Sequence, residues 1–208
     1  MDLADLKVKE YLDVLQSDAP APGGGSVSAL AGAQGIALMM MVADLTCGRE
    51  KYSAFEDVCK KVKTEAVGIF RELTAAVDKD TMAYNKVMEA YKMPKDNEEQ
   101  KEKRKKAIRE ANLEATEVPY QVMEFSHKAL MLAETMLGKC NPNAASDLGV
   151  AAVSLMNAVK GAWLNVRINM PGLKDEKKEK YYMENGGNIY KDAEKRSDKI
   201  YEVVLKEM

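Results

Sequence analysis

The stretch DAPAPGGGSVSALAGAQGIALMMMVADLTCGR, Asp18–Arg49, places the most flexible backbone of the chain directly before its most apolar segment. Three consecutive glycines, Gly23–Gly25, end any preceding helix and lead into a new one. Ser26 is a residue type that caps the first amides of a helix. We therefore predict a helix from about Gly24 to Cys47, preceded by a glycine loop that is shaped to receive a ligand.

The apolar part of this stretch, residues 27–43, raises the question of a membrane. It is 17 residues long and contains Ser28 and Gln34, whereas a spanning helix needs about 20 apolar residues. The N-terminal residues carry scattered charges and lack the apolar core of a signal peptide. We predict a helix that is apolar on all faces and buried inside the protein, a protein with no membrane partner, and a cytoplasmic location.

Composition limits the other function classes. The 208 residues fit one domain, 1–208, and 31 basic against 33 acidic residues give a net charge of −2. This balance does not favour a nucleic-acid partner. The three cysteines share no C-x-x-C spacing and His127 is the only histidine, so we predict neither a metal site nor a disulfide framework.

Helical periodicity continues along the rest of the chain. It predicts helices over 2–16, 53–92, 96–138 and 141–170, and a last helix that runs to the end of the chain. Pro119 should kink or split the helix over 96–138, and Gly186–Gly187 should interrupt the last one. Long helices with short joints indicate an all-α, up-and-down bundle of about six helices. A central helix that is apolar all round needs neighbours on every side, and a second subunit can supply some of them.

Polar residues recur where the fifth helix should be core. Asn157, Gly161, Asn165 and Asn169 are spaced four residues apart, which places them on one stripe. Because burying an unpaired amide costs about 1–3 kcal/mol, the stripe indicates a polar cleft or an internal hydrogen-bond network. A solvated helix face, or asparagine pairs that fix the register of the bundle, would explain the spacing equally well.

Two carboxylates are candidates for proton transfer if they face a cleft. Asp80 lies one helical turn before Tyr84, whose ring would remove part of its water. Asp147 lies near the start of the fifth helix. Capping by Asn143 and the attraction of Asp147 to the helix dipole explain that second position without any function.

These motifs resemble those of the formiminotransferase-cyclodeaminase family, in its cyclodeaminase domain and in the free-standing methenyltetrahydrofolate cyclohydrolases of the same fold. The matching stretches follow the family's order over nearly the whole chain: PAPGGGS from Pro20, DKDTMAYNKVMEAYKMP from Asp78, EVP from Glu117, NPNAASDLGVAA from Asn141 and GAWLNVRINM from Gly161. The resemblance implies an all-helical homodimer. It also implies a tetrahydrofolate substrate, including polyglutamylated forms, and no cofactor beyond that substrate.

The first reaction implied is cyclodeamination, in which 5-formiminotetrahydrofolate closes to 5,10-methenyltetrahydrofolate and releases ammonia. One group must accept the proton of nitrogen-10 and one must protonate the departing amine, and the resemblance points to Asp80 and Asp147. The substrate-binding residues it implies are Gly23, Gly24, Gly25, Ser26, Tyr84, Asn143, Ser146, Asn165 and Asn169. Arg49 and Lys51, or the basic cluster 101–106, would meet the glutamate tail. The alternatives are a methenyltetrahydrofolate cyclohydrolase and, in a different class, a non-catalytic helical scaffold.

Overall fold

The computed structural model describes residues 2–208, which form six α-helices and no β-strand. The helices are α1 Val8–Leu15, α2 Gly24–Asp44, α3 Glu56–Lys92, α4 Glu98–Thr135, α5 Ala145–Asn169 and α6 Glu176–Glu207. Short 3-10 turns cover Leu3–Asp5, Glu50–Phe55, Pro142–Ala144 and Met170–Gly172. The predicted all-α bundle of about six helices is confirmed.

α2 and α5 form the centre of the bundle and run antiparallel. Gly24 lies beside Asn165 at one end of the pair, and Gly35 lies against Leu155 further along. A Cβ on Gly35 would approach Leu155 Cγ to 2.8 Å, so glycine lets the two helices come close together. By length and composition alone, α2 could cross a bilayer. However, 56% of its most apolar 18-residue stretch is buried inside the protein.

The expectation that α2 is buried on all faces is wrong on one side. Val27, Gln34, Ala37, Met41 and Asp44 are exposed. Within residues 2–208, nothing covers this side of the helix, because α3, α4 and α5 pack against the others. The central helix therefore has an outer surface of mixed but largely apolar character.

α4 runs without interruption from Glu98 to Thr135, so the predicted split at Pro119 is wrong. Proline has no N–H, and the carbonyl of Ala115, four residues earlier, loses its intrahelical donor. The side chain of Asn169 on α5 replaces that donor, since its Nδ2 lies 2.6 Å from the Ala115 oxygen. A tertiary hydrogen bond thus keeps the helix intact across the proline.

α6 is also continuous, so the predicted interruption at Gly186–Gly187 is wrong. Gly186 faces the ring of Trp163 on α5, and a Cβ at this position would overlap the ring. The glycine is therefore explained by close helix packing rather than by a break.

Two predicted helix starts are displaced by side-chain caps. The first helix begins only at Val8, because the carboxylate of Asp78 on α3 accepts the Leu3 amide at 2.5 Å and holds Leu3–Asp5 in a separate turn. At the start of the α5 region, Asn141 accepts the amide of Asn143 at 3.1 Å. Asn141 therefore caps the 3-10 turn Pro142–Ala144, and α5 begins after Ala144 with no side-chain cap, so the capping role predicted for Asn143 is wrong.

Candidate active site

A cavity of about 290 Å³ opens between the start of α2, the middle of α3 and α4, and the end of α5. Its walls are formed by Pro20, Ala21, Gly23, Gly24, Gly25, Asp80, Tyr84, Val87, Asn112, Ala115, Asn165, Ile168 and Asn169. The volume is near the lower end of the range for small-molecule sites. The cavity brings together the glycine run, one predicted carboxylate and two of the predicted asparagines.

Asp80 caps the first turn of α2 from the neighbouring helix α3. Its Oδ2 atom accepts the Ser26 amide at 2.9 Å and lies 3.2 Å from the Ser26 hydroxyl, which also lies 2.8 Å from the carbonyl oxygen of Val77. Ser26 was expected to cap its own helix or to contact the ligand. It is instead fully buried inside the first turn and fixes the Asp80 carboxylate.

Gly25 makes room for the Asp80 carboxylate. A Cβ on Gly25 would overlap the Asp80 carboxylate and approach its Oδ2 to 2.6 Å. A Cβ on Gly24 would lie 3.4 Å from Asn165 Nδ2. Gly25 therefore lets the Asp80 carboxylate lie directly against the backbone at the start of α2, whereas a Cβ on Gly24 would be in ordinary contact with Asn165.

The electrostatics of Asp80 suit proton transfer. Burial raises the pKa of its carboxyl group above the usual range for aspartate, and the two hydrogen bonds from Ser26 oppose that rise. Its Oδ1 atom accepts no hydrogen bond from residues 2–208. A carboxyl group whose pKa moves toward neutrality is better able both to take up and to release a proton at neutral pH.

Tyr11 of α1 contributes to the environment of Asp80 from the protein interior. Its hydroxyl is buried and makes no hydrogen bond within the described chain. Burial raises the pKa of Tyr11, and the charges of Asp80 and Asp78 raise it further. The phenol therefore stays protonated beside these carboxylates.

The start of α2 offers free donors. The amides of Gly24 and Gly25 form no hydrogen bond within residues 2–208, and both residues line the cavity. The positive end of the helix dipole lies at the same place. Such a helix start binds a carbonyl oxygen or an anionic group.

Asn165 and Asn169 present acceptors to the same cavity. Asn165 Nδ2 donates to the Gly161 carbonyl at 2.9 Å, and Asn169 Nδ2 donates to the Ala115 carbonyl. The Oδ1 atoms of both side chains accept no hydrogen bond from the described residues. Part of the polar stripe predicted from spacing is thus committed to the fold, and part is available to a ligand.

The role of Asn169 in the fold can be measured with a double-mutant cycle. We expect Asn169→Ala to lower the free energy of unfolding by about 1–3 kcal/mol, because it leaves the buried Ala115 carbonyl unpaired. Pro119→Ala restores an N–H that can donate to that carbonyl inside α4. In the Pro119→Ala background the cost of Asn169→Ala should therefore shrink, as measured by urea denaturation. Equal costs in both backgrounds would contradict this role.

Three predicted site residues lie outside the cavity of a single chain. Asn143, Ser146 and Asp147 are at or just before the start of α5, and Asp147 precedes Asn165 by 18 residues, or about 27 Å of helix. Asn143 and Ser146 are exposed and Asp147 is half-buried. Within one chain the structure does not bring Asp147 to Asp80.

The basic residues expected at the glutamate tail are also not at the cavity. Arg49 and Lys51 follow the far end of α2, about 30 Å from its start. In the cluster 101–106, each of the four lysines forms an ion pair with a glutamate of α4 itself. Neither group lines the cavity.

Sequence reasoning missed Asn112, Val87 and Ile168. Asn112 is buried with only 7% of its surface exposed, and its Nδ2 donates to the Ile108 carbonyl at 2.7 Å. A polar residue within the alanine-rich stretch REANLEA was the available signal. Within residues 2–208, no three His, Cys, Asp or Glu side chains are placed to share a metal ion.

Comparison with known proteins identifies the family. A family model described as formiminotransferase-cyclodeaminase matches residues 7–185. The chain belongs to the formiminotransferase-cyclodeaminase family. The match spans the glycine run, Asp80 and all three cavity asparagines, so the family predicted from the motifs is confirmed.

Two kinds of relative are similar to this chain. A methenyltetrahydrofolate cyclohydrolase of Methylorubrum extorquens is 37% identical over 197 residues, which cover 95% of each protein. The formimidoyltransferase-cyclodeaminase of Mus musculus is 34% identical over 175 residues. That match covers 84% of this chain but 32% of the mouse protein, so the chain spans about a third of the length of this larger relative.

A solved structure of this family has the same fold. The formiminotetrahydrofolate cyclodeaminase of Thermotoga maritima superimposes with a TM-score of 0.79 at 27% identity, and the match covers 99% of this chain and 97% of the other. The named relatives are folate cyclohydrolases and cyclodeaminases. The prediction of an enzyme in this family is therefore confirmed, and a purely structural scaffold is disfavoured.

Proposed function

We propose that this chain hydrolyses 5,10-methenyltetrahydrofolate to 10-formyltetrahydrofolate in the cavity at the start of α2. The observation that carries the proposal is the buried Asp80 carboxyl, held by Ser26 against Gly25 and opposite two amide side chains of α5. The proposal includes no cofactor beyond the folate itself. We assign the reaction to the cytoplasm.

In this reaction water adds to the methenyl carbon, and the bond from that carbon to nitrogen-5 breaks. The water loses two protons: one goes to nitrogen-5 and the other is released to solvent. Asp80 accepts a proton from the attacking water and delivers it to nitrogen-5, as general base and then general acid. Burial raises the pKa of Asp80 above the usual range for aspartate, which makes its carboxylate a stronger base toward the attacking water.

The other cavity residues bind and orient the folate. The free Oδ1 atoms of Asn165 and Asn169 accept hydrogen bonds from the amine and ring N–H of the pterin. The amides of Gly24 and Gly25 donate to its carbonyl oxygen. Tyr84, one turn after Asp80, borders the ring system, and this placement holds the reacting carbon near the carboxyl group.

Cyclodeamination is the second candidate. There nitrogen-10 attacks the carbon of the protonated formimino group, the proton that nitrogen-10 loses passes to the amine, and the bond from carbon to that amine breaks to release ammonia. The same carboxyl can carry this proton. The structural likeness to the Thermotoga cyclodeaminase favours this reaction. The cyclohydrolase comes first because that relative is 37% identical over 95% of the chain, against 27% over 99% for the Thermotoga protein. This reverses the order predicted from the sequence.

Two assays decide between the reactions. The purified protein should accelerate the loss of methenyl absorbance well above the spontaneous rate in the same buffer. With 5-formiminotetrahydrofolate, a cyclodeaminase would instead produce methenyl absorbance together with an equal amount of ammonia. If neither substrate is turned over and neither raises the melting temperature, the proposed function is wrong, because a ligand at 100 times its Kd stabilises a protein by about 2.7 kcal/mol.

A further inference from the structure

Asn112 is a third asparagine in the cavity wall, beside Asn165 and Asn169. Its Nδ2 atom donates to the Ile108 carbonyl at 2.7 Å, in the same way as the other two amides donate to backbone carbonyls. Because a carbonyl oxygen can only accept, this bond fixes which end of the Asn112 amide is the oxygen. The Oδ1 atom accepts no hydrogen bond within residues 2–208 and is not sealed from solvent. Asn112 therefore leaves a hydrogen-bond acceptor open to the cavity.

The turn that follows α5 holds the Asn112 amide in place. Gly172 ends the 3-10 turn Met170–Gly172, and a Cβ on this glycine would overlap the amide and approach its Cγ to 2.6 Å. Only 7% of the surface of Asn112 is exposed. A leucine of similar size would fill the same space without the cost of removing an amide from water. The position therefore indicates a function for the amide rather than packing alone.

Asn112 lies at the opposite end of the cavity from Asp80. α3 and α4 form an antiparallel hairpin, in which Lys86 donates to the Glu114 carboxylate at 2.7 Å. This pair places Asn112, two residues before Glu114, close to the level of Val87. Asp80 lies seven residues before Val87, which is about 10 Å along the helix. The carboxyl group and the free amide oxygen are therefore about one ring system apart.

A pterin whose one-carbon group lies at Asp80 spans this distance. The exocyclic amine lies across the fused rings from nitrogen-5, about 6 Å away, and a hydrogen bond of about 2.9 Å at each end gives a span of about 12 Å. The amine is a donor, and the Oδ1 atom of Asn112 is an acceptor at the matching end of the cavity. The amine carries two hydrogens, so it can bond Asn112 and still reach an asparagine of α5.

We propose that Asn112 is a specificity-determining residue, whose Oδ1 atom accepts a hydrogen bond from the exocyclic amine of the pterin. This inference rests on the proposed function, because it takes the folate to bind with its one-carbon group at Asp80. A bicyclic ligand of the same shape without the amine leaves this acceptor unpaired, and the cavity discriminates against it for that reason. Gly172 is the positioning residue, since it leaves room for the amide.

A binding cycle between protein and ligand tests this contact. The probes are 5-formyltetrahydrofolate and its 2-deamino analogue, in which hydrogen replaces the amine. Neither is a substrate of the two candidate reactions, so isothermal titration calorimetry measures binding without turnover. The wild type should bind the amino form about 10-fold more tightly than the analogue. Asn112→Leu should lower the affinity for the amino form about 10-fold and leave that for the analogue nearly unchanged. The preference should therefore disappear.

Asn185→Leu is the matched control, because Asn185 Nδ2 makes the same kind of bond to a carbonyl four residues earlier, at 2.8 Å, outside the cavity. It should keep the wild-type preference, whereas Gly172→Ala should reduce it by displacing the amide. If the wild type binds both ligands equally, or Asn112→Leu keeps the preference, the inference is wrong. Failure of both ligands to bind the wild type would also overturn it, and turnover of the methenyl substrate would then show whether the proposed function survives.

Discussion

Asp80→Asn should lower kcat/KM for 5,10-methenyltetrahydrofolate by about 10²–10⁴-fold, the usual contribution of a positioned acid–base group. The asparagine retains an oxygen that can accept the Ser26 amide, so the fold and the cavity should survive. Steady-state kinetics, together with a melting curve that stays near the wild type, would check both statements. Near-normal turnover would exclude Asp80 as the proton carrier.

The pH profile gives a second readout of the same residue. Because Asp80 must be ionised to accept a proton, kcat/KM should rise with pH through its pKa, which burial raises above the usual range for aspartate. Asp80→Asn should remove this limb from the residual activity. Asp78→Asn is the matched control, since Asp78 carries the same charge two residues earlier and binds the Leu3 amide outside the cavity. It should keep the limb.

Gly25→Ala should reduce activity nearly as much as Asp80→Asn. The added methyl group occupies the space of the Asp80 carboxylate, which must rotate away and lose the bonds from Ser26. Stability should change little, because the gain of up to about 1 kcal/mol in helix propensity offsets the lost cap. Activity assays and denaturation curves on the same preparations would separate the two effects.

Two comparisons sharpen this prediction. Gly68→Ala on α3 is the control for a general effect of alanine in a helix, because its Cβ would meet nothing within 4 Å. It should keep full activity. The double variant Gly25→Ala/Asp80→Asn should be no less active than the worse single variant, because both changes disable the same group. A further large loss in the double variant would show that Gly25 acts independently of Asp80.

The helices could be predicted from the sequence because apolar periodicity is a local property. The predictions of breaks at Pro119 and Gly186 failed because their compensation is not local. Asn169 on α5 satisfies the carbonyl that Pro119 leaves unpaired, and Trp163 fills the space left at Gly186. Neither contact can be read from the residues that flank the proline or the glycine.

Gly25, Asp80 and Asn165 belong to motifs that the sequence singled out, and all three line the candidate site. Asn112 was missed because a single asparagine in a helix does not reveal which way it faces. The expectation for Ser26 failed because its cap comes from Asp80, 54 residues later in the chain. Asp147 does not line the cavity, because it lies near the start of α5 while the cavity is at the end of that helix, and residue spacing alone did not show at which end the cavity would form.

The most direct test of the central claim is a crystal structure with a bound folate such as 5-formyltetrahydrofolate. The pterin should lie between the start of α2 and Asn165 and Asn169, with nitrogen-5 or its one-carbon group within hydrogen-bonding reach of Asp80. A folate bound at another surface, with this cavity empty, would contradict the account.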